Sequence, residues 1–142
     1  MANANKEAVE LLSNVPLFSE LSKKELQSFA SAAKEIRHRP GDVLAREGDS
    51  GFGFFLIAEG TAAVTVGGKP RAKLGTGDFF GEIALLEGGP RTATVTAETP
   101  MRVIGITQWV FKRIVEQNPS VAMKMLKVMA SRLRAAPAGI TQ

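Results

Sequence analysis

The residues best suited to chemistry lie in one stretch, Gly77-Asp-Phe-Phe-Gly81-Glu82-Ile83-Ala84-Leu85-Leu86-Glu87-Gly-Gly-Pro90-Arg91-Thr92-Ala93-Thr94-Val95. Gly81 has no Cβ, so the main chain there can approach a ligand closely. Glu82 to Glu87 reads as a single short helical turn. The first N–H groups of such a turn have no partner inside it, and the helix dipole adds to their pull on an anion. Glu82 at that start would repel an anion if it pointed inward, so it is better suited to accept hydrogen bonds from a neutral hydroxyl. Arg91 re-enters on the following strand with a planar fork of donors that matches a phosphate. Together these groups suit a partner carrying a hydroxyl beside a singly charged phosphate. Two plainer readings stand beside this one. Glu82 and Arg91 can pair with each other as a structural salt bridge, and Gly81 can serve a simple turn. The salt bridge accounts for neither Gly81 nor the open helix start.

Composition removes most other chemistries. The chain has 142 residues, no cysteine and one histidine, His38. Without cysteine there are no disulfides, thiolate metal sites or cysteine nucleophiles. A metal-dependent roll enzyme usually needs a cluster of histidines and carboxylates, which one histidine does not supply. No nucleophile elbow accompanies His38. The expectation is a protein without catalysis and without metal. The formal net charge is +4, but Lys and Arg are scattered and there is no Tyr and one Trp, so direct nucleic-acid binding is not expected. No apolar run is long enough to span a membrane. The N-terminus lacks the basic-then-apolar layout of a signal peptide, so the expected location is cytoplasmic.

The elements that must position the stretch follow from pattern. Residues 1–33 read as a helical segment, with Ser22-Lys-Lys-Glu25 as a capping box and Leu21 and Leu26 as its hydrophobic staple. Residues 34–106 carry short apolar runs, Phe52–Ile57, Ala62–Val66, Thr92–Ala97 and Arg102–Ile106, broken by glycine turn signals. This predicts an antiparallel β-roll, a jelly-roll-like double sheet, holding the stretch 77–95. Residues 107–136 read as two helices. Thr107 caps the first, and Asn118-Pro119 opens the second. In the second, Ala122, Met125, Leu126, Met129 and Leu133 form one apolar stripe. Trp109 is expected in the core or at a partly buried surface. Residues 137–142 are expected to form a mobile tail.

The run Phe80-Gly81-Glu82-Ile83-Ala84-Leu85-Leu86, followed by Pro90-Arg91-Thr92-Ala93, resembles the phosphate-binding cassette of cyclic nucleotide-binding domains. That family includes bacterial cyclic AMP receptor proteins, cyclic-nucleotide-dependent kinases and cyclic-nucleotide-gated channels. Pro16-Leu-Phe-Ser-Glu-Leu and the corner glycines Gly41, Gly48 and Gly60 extend the resemblance over nearly the whole chain. It implies that Glu82 bonds the ribose 2′-hydroxyl and Arg91 pairs with the cyclic phosphate. N–H groups of Ile83, Ala84 and Ala93, with Gly81 and Thr92, would complete the cradle. Thr92 matches a hydroxyl position that assists guanine nucleotides in some members. The implied ligand is cyclic AMP first and cyclic GMP second.

The resemblance also implies a relay. Ile83, Leu85 and Leu86 would form the cassette's apolar face. The helix from Pro119 to about Ala136 would act as hinge and lid, with Met129, Arg132 and Leu133 toward the base. The chain departs from cyclic AMP receptor proteins, which continue into a longer dimerising helix and a helix-turn-helix domain. Here Ala135 and Ala136 fall about where polar base-reading residues lie. The expected function is a regulatory sensor acting on an effector domain or protein partner, with a homodimer among the expected assemblies. The alternatives are a nucleotide-independent interaction module, or the sensor part of a larger transcription regulator, kinase or channel.

Overall fold

Alternating apolar and polar residues between glycine corners make the middle of the chain two antiparallel sheets. The computed structural model describes residues 2–135, apart from the side chains of residues 2–4 and 83. The expected helix end at Ala136 and the tail 137–142 lie outside the described residues.

The first sheet has the order β1 (Lys34–His38), β8 (Met101–Thr107), β3 (Gly53–Glu59), β6 (Phe79–Phe80). The second has β2 (Val43–Ala45), β7 (Thr94–Ala97), β4 (Ala62–Val66), β5 (Lys69–Leu74). Ile57, Met101 and Val103 from one sheet and Ala45, Ala62, Val95 and Ala97 from the other form the core between them. The fold is therefore the expected β-roll with helices. Cross-strand charge pairing ties the first sheet on its polar side, where Arg102 bridges Glu35 at 2.9 Å and Glu59 at 3.0 Å. The edge strand β5 is charged, exposed and contains Pro70, which protects it from pairing with another chain.

Two strands start later than expected. Phe52 lies outside β3, and Thr92 and Ala93 lie in a bend ahead of β7. The β3 pairing with β8 ends at Gly53 opposite Thr107, and ahead of β7 residues 89–91 pair by main-chain bonds with the loop around residues 48–51.

Ala32–Phe111 forms one compact unit, and the segments before and after it form a second, helical one. The second unit contains α1 (Ala2–Ser13), a 3-10 turn at Pro16–Phe18, α2 (Lys23–Ala32), most of α4 (Gln108–Gln117) and α5 (Pro119–Ala135). The capping box forms as read: Ser22 N–H donates to Glu25 Oε1 at 2.8 Å and Glu25 N–H to Ser22 Oγ at 3.2 Å. Leu21 and Leu26 are both buried. Asn118 does not cap α5 through its side chain. Its Nδ2 donates back to Ile114 O at 2.9 Å, closing the end of α4. The apolar stripe of α5 is only partly buried. Of its members Met125 is buried and Ala122 and Met129 are half-buried, whereas Leu126 and Leu133 are 62% and 56% exposed; Val121, beside the stripe, is buried.

Glu25 also receives hydrogen bonds from Lys124 Nζ at 2.7 Å and Ser120 Oγ at 2.9 Å. These donors, Lys124 foremost, lower its pKa from 4.5 to about 2. A depressed folded-state pKa gives stability that is full above pH 4.5 and is lost as the pH falls through about 2. Glu25→Gln is expected to cost about 1 kcal/mol near neutral pH, from a weakened cap and a partly exposed pair. It is also expected to flatten the acid limb. Urea unfolding of both proteins across that pH range checks this.

Candidate functional site

The site grows from Gly81. Its φ of 87° and ψ of 14° place it in the left-handed region, where an L side chain is strained. It is the N-cap of α3 (Glu82–Glu87) and has no side chain to cap the helix start. Main-chain donors at a helix start then face outward, toward the positive end of the dipole. The far end closes when Gly88 N–H donates to Ala84 O at 3.0 Å. Leu85 is fully buried and anchors the helix, which packs on β3. Leu86, expected on the same apolar face, is 43% exposed, and the side chain of Ile83 lies outside the described residues.

Arg91 is fixed at both main-chain ends. Its N–H donates to Asp49 O at 2.8 Å, and its carbonyl accepts from Gly48 N–H at 2.9 Å. Gly51 N–H donates to Gly89 O at 2.9 Å, so the same loop grips the cassette twice. The guanidinium turns inward. Nη2 donates to Gly53 O at 2.8 Å, and Cζ lies 5.9 Å from the centre of the Phe55 ring. Burial pulls the arginine pKa below its ordinary value, though a guanidinium stays cationic at neutral pH.

A cavity of about 630 Å³ brings these groups together. Gly81, Glu82, Ala84, Arg91, Thr92 and Ala93 all line it, over a floor that includes Ala45, Phe80 and Val95. Six of the seven residues singled out in the sequence therefore share one cavity. Glu82 is half-buried with its Oε2 atom shielded from solvent, and Thr92 is exposed. A carboxylate, a cationic fork and an open helix start on one cavity of this size suit a small polar ligand with one negative charge. Glu47 steadies the surrounding corner, its Oε1 accepting from Gly67 N–H at 2.9 Å and its N–H donating to Thr94 Oγ1 at 3.0 Å.

Trp109 differs from expectation. It is 64% exposed and stacks against Phe52 at 5.4 Å between ring centres. Gly51, Gly53 and Phe55 are the site residues that sequence reasoning passed over. Two contribute no side chain, and Phe55 reads as an ordinary strand residue.

Residues 35–118 match the cyclic nucleotide-binding domain family. A cAMP-dependent protein kinase regulatory subunit of Hypocrea atroviridis is 37% identical over 103 residues, covering 72% of this chain and 22% of that protein. A cyclic nucleotide-gated potassium channel of Rhizobium etli is 33% identical over 123 residues, covering 87% of this chain and 34% of that protein. The chain thus spans about a fifth to a third of these relatives' lengths. Among solved structures, the N-terminal domain of a transcriptional regulator from Streptomyces coelicolor A3(2) superposes with a TM-score of 0.80 at 29% identity, over 87% of this chain and 90% of that one. The regulatory domain of Toxoplasma gondii PKA with cAMP gives 0.73 at 29% identity, over 80% of this chain and 45% of that one. Among the described residues, no helix is long and apolar enough to cross a membrane.

Proposed function

The chain belongs to the cyclic nucleotide-binding domain family, and from this we propose that it is a cytoplasmic, non-catalytic sensor that binds cyclic AMP, with cyclic GMP as second ligand. One observation carries the reading: Glu82, Arg91 and the open start of α3 line a single cavity. In this reading Arg91 pairs with the cyclic phosphate and Glu82 accepts from the ribose 2′-hydroxyl. Main-chain N–H groups of Ile83, Ala84 and Ala93 complete the cradle, with close approach permitted by Gly81. The exposed hydroxyl of Thr92 supports tolerance of a guanine base. The Toxoplasma gondii structure solved with cAMP supports cyclic AMP as first ligand.

The reading includes a relay through α4 and α5 to an effector domain or protein partner. Met123, Leu126 and Leu133 are all more than half exposed on α5, which supports a role for that helix beyond its own unit, in the relay or in a homodimer.

Melting the purified chain at rising cyclic AMP tests the reading. A ligand that binds only the folded state stabilises it by about 2.7 kcal/mol at a hundred times Kd. The melting temperature is expected to climb with ligand concentration, further for cyclic AMP than for cyclic GMP. An unchanged melting temperature at millimolar ligand would instead support a nucleotide-independent interaction module.

A further inference from the structure

Gly51 stands outside the cassette, 40 positions before Arg91 in the chain. Its φ lies outside the left-handed region, so backbone conformation does not demand glycine there. Space does. A Cβ built on Gly51 would collide with Nε of Arg91 and lie 2.6 Å from both Cδ and Cζ. On another side of the same guanidinium, a Cβ on Gly81 would meet Gly53 O and lie 2.7 Å from Arg91 Nη1. Phe55 offers its ring to the same group, and Gly53 O accepts from Nη2. The arginine head is thus held in a slot with glycines against it on two sides.

The two glycines are not equivalent. Filling the Gly81 side strikes main chain, which cannot yield cheaply. On the Gly51 side the three nearest atoms all belong to the arginine side chain, which can swing away. The fold would tolerate the second change, but the guanidinium would lose its seat. We propose that Gly51 is a positioning residue that sets the aim of Arg91 into the cavity, so that the loop around residues 48–53 and not the cassette alone determines anion affinity. This rests on the reading of Arg91 as the phosphate partner.

Gly51→Ala is expected to weaken cyclic AMP binding at least tenfold in calorimetry while leaving the melting temperature of the ligand-free chain nearly unchanged. The cost should vanish in an Arg91→Ala background, since the two changes act through one contact. A readout independent of nucleotide is the Nε–Hε resonance of Arg91 in the ligand-free protein. Gly51→Ala should shift it and lower its heteronuclear NOE. An unmoved Nε–Hε resonance would overturn the slot, whatever the chain binds. A shifted resonance with unaltered cyclic AMP affinity would overturn the link to the anion. If the parent protein bound no cyclic nucleotide, the functional reading would fail, while the resonance would still decide the slot.

Discussion

Arg91→Ala is expected to reduce affinity for cyclic AMP by more than tenfold, the largest loss from any single side-chain truncation at the site. The guanidinium is part-buried beside Gly53 O and the Phe55 ring, where competing water is scarce. Hydrogen bonds to charged groups contribute about 1.5–3 kcal/mol each, and about 1.4 kcal/mol is a factor of ten in affinity. The fold should suffer much less. Truncation deletes one bond to a carbonyl but also removes a cation that burial already disfavours. Arg91→Lys separates charge from geometry: it keeps the charge and loses the fork, so an intermediate affinity is expected. Calorimetric titration of the three proteins gives the order, and equal affinity of Arg91→Ala and parent would remove Arg91 from the site.

Gly81→Ala is expected to damage both fold and site. Alanine in the left-handed region costs roughly 1–2 kcal/mol. Its Cβ would also press on Gly53 O and approach Phe54 Cα at 3.2 Å, both main-chain atoms. Overpacking of this kind costs about 1–3 kcal/mol. For a chain of this size, a combined loss of about 3 kcal/mol lowers the melting temperature by roughly 10 °C. The displaced carbonyl is the acceptor for Arg91, so cyclic AMP affinity should fall together with stability. The contrast with Gly51→Ala is diagnostic, because there affinity falls while stability holds. Melting and titration of both variants separate the two glycines, and a Gly81→Ala protein as stable as its parent would contradict the strain at this position.

How much could be read in advance depended on whether side chains carried the information. Ser22 and Glu25 announce a helix start through their own side-chain chemistry, and both predicted bonds form. Gly81, Glu82 and Arg91 suggested a site for a hydroxyl beside a phosphate, and all three line the cavity. β5 was not legible because every residue from Lys69 to Lys73 is exposed, leaving no alternation to detect. The stripe on α5 was over-read. Leu126 and Leu133 keep helical spacing with Ala122 and Met129 but are exposed, since spacing specifies a face and not what covers it. The slot around Arg91 was hidden for another reason. Gly53 acts through its carbonyl and Gly51 through a missing atom, and both reach Arg91 from about 40 residues away. Local pattern has no access to such contacts.

Calorimetric titration of the purified chain with cyclic AMP and cyclic GMP in parallel tests the central claim most directly. The account predicts saturable binding of one cyclic AMP per chain, weaker binding of cyclic GMP, and more than tenfold weaker binding of both in Arg91→Ala. No heat of binding for either nucleotide, at concentrations up to the millimolar range, would contradict it.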